Sequence, residues 1–198
     1  MRKVFLFSIG CLFICSAIFF ISAQLNDKKM VNSESINVDK PLPILEKPYL
    51  VVKKKERKLE LFDDKILIRT YKIGLGFAPE GDKEKQGDGK TPEGEFFIFT
   101  KNPKSSFYLS LGVSYPSIDD AKRGLEQNTI TQKEHDSIVK SINNKQMPLQ
   151  KTKLGGEIYI HGNGSATDWT WGCIALDDAD MKELFNAIPI GTYIKIEL

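Results

Sequence analysis

From Tyr49 onward the chain is cut into short β-prone runs separated by turn-forming sequence, and this punctuation limits the possible folds more than any other feature. YLVV and KLELF are parted by the charged run KKKERK (residues 53–58), and DDK (63–65) parts KLELF from ILIRTYKIGLG. Short runs rich in β-branched and aromatic residues between polar clusters read as strands. KKKERK is short and contains an acid, so it reads as a solvated hairpin turn rather than a polybasic binding patch. EFFIFTK, FYLSLGVSY and GEIYIHG add strand candidates, and TYIKIEL alternates apolar and polar residues as a half-buried last strand does.

Two segments break the pattern. Residues 117–144 have helical composition, and TQKE (131–134) fits a capping box in which the Thr131 hydroxyl and the Glu134 carboxylate satisfy free backbone donors. A helical pair is therefore inserted between strands. Near the C-terminus, Met181, Leu184, Phe185 and Ile188 recur at helical intervals, with Asp177 placed to act as the N-cap. The predicted fold is mainly β, predominantly antiparallel, with a few peripheral helices. The 150 residues from Tyr49 to Leu198 suit one domain with one core.

The first 23 residues are of another kind. Arg2 and Lys3 precede an almost uninterrupted apolar run from Val4 to Ile21, and small residues follow, which is the pattern of a secretory signal cleaved after Ala23. Left uncleaved, the run is long enough to tether the chain to a membrane, since about 20 apolar residues span a bilayer. Neither Cys11 nor Cys15 suits lipid modification: Cys11 comes too early, and Cys15 follows the bulky Ile14. Residues 24–48 are polar and then proline-punctuated, as a linker is. The chain is thus expected to be exported, to the periplasm or cell envelope. Its formal charge of +2 comes from Arg2 and Lys3, so the exported part is near neutral and gives no electrostatic reason to bind nucleic acid.

Beyond the leader only Cys173 remains, which excludes an intramolecular disulfide. An unpaired thiol in an oxidising compartment is either a buried small hydrophobe or a group kept for its reactivity. His135 lies among charged residues of the predicted helix and reads as a surface residue. His161 instead ends a strand, precedes Gly162, and stands twelve positions before Cys173 across a glycine- and serine-containing loop. An imidazole beside a thiol can take its proton and make it a nucleophile. Gly172 lets the chain turn sharply at the cysteine and can turn backbone N–H groups toward a reacting carbonyl, as an oxyanion site requires. Metal binding is not expected, because one exported cysteine and two distant histidines do not make a four-ligand set. No cofactor is implied. GKT (89–91) is no phosphate loop either: Glu84 stands where the earlier glycine should be, and a strand follows rather than a helix.

Two blocks, GDGKTPEGEFFI (87–98) and IHGNGSATDWTWGCIAL (160–176), resemble the bacterial L,D-transpeptidases of the YkuD type, in the right order and with KNPKSSFYLSLGVSYP between them. The likeness covers roughly residues 49–198. It implies a β-sandwich-like catalytic domain, an exported location, peptidoglycan stem peptides as substrates, Cys173 as nucleophile and His161 as its base. It further implies a Cys thioester, departure of a D-amino acid, and transfer of the acyl group to an amine of a stem peptide or protein lysine. The alternatives are a thiol hydrolase that uses water as acceptor and a wall-binding domain without catalysis. The chain departs from the commonest family pattern at Trp171, where a second histidine is frequent, and at Ala175, where arginine or asparagine is frequent. DWTWGCIAL is similar to a subgroup linked with release of proteins or peptides from peptidoglycan. Gly162, Thr170 and Trp171 are candidate substrate-binding residues, with Trp171 either a groove wall or a core anchor. Asn163, Ser165 and Asp168 read as loop-shaping residues acting through local side-chain to backbone bonds, and Asp88 and Glu93 as shapers of the glycine-rich turn.

Overall fold

A computed structural model of the chain describes residues 41–198, so the predicted leader with Cys11 and Cys15 lies outside the described residues. Eight strands form one curled sheet: β1 (Pro48–Lys53), β2 (Lys58–Asp63), β3 (Ile66–Lys72), β4 (Gly94–Ser105), β5 (Tyr108–Val113), β6 (Tyr159–His161), β7 (Ile174–Ala175) and β8 (Tyr193–Glu197). Their order is β3-β2-β1-β8-β4-β5-β6-β7. Most neighbours are antiparallel. The exceptions are β1 with β8 and β6 with β7, which run parallel.

The sandwich-like character comes from β4. Its first residues pair with β8 and its remainder with β5, so this long strand belongs to both halves of the sheet. At the far ends the halves meet again: Gly74 and Gly76, just past β3, bridge to Ala175 and Thr170. Side chains on alternate strand positions fill the enclosed space. Leu50 and Val52 of β1 and Ile194 and Ile196 of β8 are buried there, with Leu59, Leu61, Leu111, Val113, Ile160 and Ile174. Leu42 and Leu45, from the predicted linker, pack on this core. The Asp63 carboxylate accepts hydrogen bonds from the Glu46 and Lys47 amides.

The inserted helices are α1 (Ile118–Glu126) and α2 (Gln132–Asn143), followed after β7 by α3 (Asp178–Ala187). Thr131 and Glu134 form the capping box read from the sequence, and Ser117 with Asp120 forms a second one on α1. Ala121, Ile130, Ile138 and Leu154 give the helical pair a small core of its own. Asp177 occupies the N-cap position of α3, but its side chain makes no capping bond. Instead it accepts from the Ser165 amide and hydroxyl, at 2.8 and 3.1 Å, and so holds a distant loop.

In the KKKERK turn Lys55, Glu56 and Lys58 are exposed as expected, and Lys54 departs from that reading. Lys54 is only 1% exposed and its ammonium donates to the carbonyls of Gly81 and Thr91 and to the Glu93 carboxylate. A buried ammonium is tolerated only when its donors are satisfied, and here Gly81 and, from the glycine-rich block, Thr91 and Glu93 supply three acceptors. Through Lys54 the hairpin also clamps that block.

Candidate active site

The pairing of β5, β6 and β7 decides which residues share a face. Ile160 lies opposite Ile174 and both point into the core, each fully buried. The flanking positions therefore face the other way. His161 sits opposite Ser110 on one side and Ala175 on the other, and one register step back brings Tyr159 beside Cys173. A cavity of ≈ 370 Å³ opens on this face. His161 and Cys173 both line it, with Asn102, Lys104, Phe107, Ser110, Glu157 and Tyr159 among the other wall residues.

His161 is 3% exposed. Its ring packs against Phe107 at 4.7 Å and meets Trp169 edge-on at 5.5 Å, and these two aromatics also touch each other. Nδ1 is 2.7 Å from the Gly162 carbonyl oxygen. A carbonyl can only accept, so Nδ1 carries the proton and the neutral ring keeps its lone pair on Nε2. Burial among the aromatics lowers the imidazole pKa, against the opposing effect of the Gly162 carbonyl. The ring therefore stays neutral to more acidic pH than a free histidine.

Cys173 is half-buried. Its sulfur lies 3.5 Å from the Glu157 carbonyl oxygen. Burial pushes the thiol up to about 11, which the Tyr159 amide and the charge of Lys83 oppose and the charge of Glu157 reinforces. The resting pair is accordingly a thiol and a neutral imidazole, not a preformed ion pair. At pH 7 such a thiol is ionised in only about one molecule in ten thousand. Alkylation by iodoacetamide is expected to be slow at neutral pH and to accelerate across pH 9–11, because the thiolate is the reacting species. A midpoint near the ordinary cysteine value in that pH–rate profile would contradict this.

The turn before the sulfur is built from Thr170 and Gly172. The buried Thr170 hydroxyl donates to the Cys173 carbonyl at 2.8 Å and accepts from the Gly172 amide at 3.1 Å. Gly172 N–H is thus engaged inside the turn, and what this glycine supplies is its conformation. Its φ is +121°, and a Cβ there would lie 2.5 Å from the Lys90 carbonyl oxygen. The Gly172→Ala substitution is expected to lower the unfolding free energy by about 1–3 kcal/mol, measured by denaturant titration. Unchanged stability would mean that this turn can relax without consequence.

Of the other sequence-predicted residues, Gly162 is buried and its amide donates to the Phe107 and Leu109 carbonyls. Gly162 and Thr170 support the pair from behind rather than facing the cavity. Trp171 is 70% exposed, edge-on to Phe77 at 4.8 Å, which excludes the core-anchor reading. Asp168 shapes the loop through distant partners, not local ones: it pairs with Arg57 at 2.7 Å and accepts the Leu75 amide at 2.9 Å. Asn163 and Ser165 are held by Asp178 and Asp177 at the start of α3. His135 lies on α2, paired with Asp136. No group of three or more His, Cys, Asp or Glu residues suited to a metal ion occurs among the described residues.

The sequence reading missed Phe107, Trp169, Lys83 and Glu157. Trp169 lies within the second block quoted above, where an aromatic beside the histidine loop was a usable signal. Lys83 gave none, because nothing local marks a lysine that will be buried.

A family model described as the YkuD L,D-transpeptidase catalytic domain matches residues 47–196. The putative L,D-transpeptidase YafK of Escherichia coli strain K12 is 33% identical over 85 residues, a stretch covering 39% of this chain and 34% of that protein. Bd1075 of Bdellovibrio bacteriovorus has a similar fold, with a TM-score of 0.51 at 24% identity over 77% of this chain and 48% of that one. The helical cell shape determining protein Pgp2 of Campylobacter jejuni gives 0.51 at 24% identity, over 80% and 51%. The chain thus spans about half the length of these solved structures and a third of the curated relative. With the family match running from β1 to β8, the chain belongs to the YkuD family of L,D-transpeptidase catalytic domains.

Proposed function

We propose that this domain is a cysteine-dependent acyltransferase acting on peptidoglycan stem peptides in the cell envelope, exported by its apolar N-terminal segment. One observation carries the reading most: Cys173 and His161 line the same open cavity, and the Gly162 carbonyl fixes the histidine tautomer that leaves Nε2 basic.

The resting thiol is protonated, so His161 acts as general base during attack rather than before it. Nε2 takes the Sγ proton as sulfur bonds to the carbonyl carbon of an L-residue joined to a D-residue. The tetrahedral intermediate then collapses: the C–N bond breaks, Nε2–H protonates the departing amine, and a thioester remains. An amine of a second stem peptide attacks that thioester, its proton passes by Nε2 to the leaving sulfur, and an amide cross-link results. Water in place of the amine gives trimming. Phe107 and Trp169 keep water from the imidazole and fix its plane, which places Nε2 without a carboxylate partner.

The test is incubation of the domain with tetrapeptide muropeptides and mass spectrometry of the products. Loss of a terminal D-residue with a new cross-linked species supports acyl transfer. Loss without a cross-link, even with excess amine, points to hydrolysis, and no product from folded protein would defeat the proposal.

A further inference from the structure

Glu157 stands in the left-handed backbone region, φ +56°, immediately after Gly155 and Gly156. Glycine adopts that conformation freely, whereas a residue with a Cβ pays about 1–2 kcal/mol for it. Its main chain has two jobs, donating its amide to the Gln150 side-chain oxygen at 2.6 Å and accepting a contact from the Cys173 sulfur, and neither uses its side chain. Arg57, Asp64, Tyr108, Asn128, Lys145 and Asn163 also have positive φ, so the conformation alone assigns no role to the side chain. That side chain is exposed, and no cation pairs with its carboxylate among the described residues. Its charge disfavours ionisation of the nearby Cys173 and Tyr159, so it does not serve to activate the nucleophile.

Glu157 also belongs to two hollows. It lines the cavity that holds Cys173 and His161 and also a groove of ≈ 560 Å³ lined by Gln86, Glu134, Gln150, Lys151, Thr152 and Lys153, in which the Glu134 carboxylate is engaged by the Thr131 amide and hydroxyl. The two hollows thus share Glu157 as a wall residue.

We propose that Glu157 docks the ammonium group of the amine acceptor, and that the groove carrying Lys151 and Lys153 receives the rest of that acceptor peptide, whose free carboxylates the two lysines match. This rests on the acyl-transfer reading above and says where the second substrate binds. The docked ammonium gives one proton to solvent. Its nitrogen then bonds to the thioester carbon, the C–S bond breaks, a second proton reaches sulfur by way of His161, and the third stays on the new amide nitrogen. Glu157 is a positioning residue here, raising the local concentration of the amine beside the thioester.

The experiment compares wild type with Glu157→Gln, using a donor tetrapeptide whose own side-chain amine is acetylated. The readout is the ratio of transfer to hydrolysis, which does not depend on how fast the thioester forms. Two acceptors are used: a muropeptide with a free ammonium, and hydroxylamine, which is uncharged at neutral pH. The ratio for the ammonium acceptor is expected to fall about five-fold in the variant, the size of one solvent-accessible ion pair, while the ratio for hydroxylamine stays the same. An equal fall for both acceptors, or no fall, overturns the docking role. So does a loss of D-residue release confined to a donor with its ammonium free, since the carboxylate would then serve the donor. If wild type releases the D-residue but transfers only to water, docking fails and the thiol chemistry stands. If wild type releases no D-residue, the acyl-transfer reading fails and the docking role with it.

Discussion

Replacing Cys173 by alanine is expected to lower release of the terminal D-residue by about four orders of magnitude or more, leaving the domain folded. Loss of a nucleophile in a covalent mechanism removes the whole two-step path, and what remains is binding and polarisation of the substrate carbonyl. The structural consequence is small by comparison. The sulfur's polar contacts are the Glu157 carbonyl at 3.5 Å and the Tyr159 amide, and alanine keeps the Cβ. A change of that kind typically shifts stability by about 1 kcal/mol. The variant should still bind stem peptides in the cavity. Activity within ten-fold of wild type, in protein shown by mass to carry the substitution, would assign the chemistry to another group.

Lys83→Met is expected to destabilise the domain by about 3–5 kcal/mol, the range for breaking a buried ion pair. Lys83 and Asp88 are 2% and 8% exposed, 2.7 Å apart. Asp88 also accepts the amides of Glu84, Lys85 and Lys90. Burial alone would raise the Asp88 pKa, but Lys83 and those amides outweigh it and hold the carboxyl below its usual value. Its stabilisation is therefore present above the unfolded-state value near pH 4 and is lost as pH falls through the lower folded value. In the variant the carboxylate stays buried without its cation. The stability gap from wild type should accordingly be widest at neutral pH and narrow below about pH 4, where protonation removes the unpaired charge. Set against a total of about 5–15 kcal/mol for a domain, the loss is a large fraction. Denaturant midpoints for the two proteins at pH 7 and pH 3.5 measure it, and equal midpoints at pH 7 would show that the three amides suffice. The same substitution should slow alkylation of Cys173, since the Lys83 charge favours its thiolate.

Particular residues illustrate how differently the site could be read. Cys173 was legible because it is the lone cysteine after residue 23 and because Gly172 marks a turn beside it. The Thr131 and Ser117 helix starts follow from side chains reaching backbone three residues away, and the alternation of TYIKIEL is likewise local. By contrast Lys54, Arg57, Asp168 and Asp177 all looked like surface or local residues. Each was fixed by its contacts elsewhere: Arg57 meets Asp168 across 111 positions of sequence, and Lys54 meets Glu93 across 39. The parallel pairing of β1 with β8 belongs to the same class, because no adjacent turn specifies it.

By itself the sequence determined the strand-and-helix content, the inserted capped helices, and the cysteine and histidine on which the proposed chemistry depends, since periodicity, capping and turn chemistry act over a few residues. The tertiary structure alone decided that His161 packs against both Phe107 and Trp169, that Trp171 faces solvent, that charged side chains clamp the glycine-rich block, and that Glu157 lines two hollows. Those outcomes depend on burial and on partners far away along the chain, and burial is a property of the packed whole that no short window of residues contains.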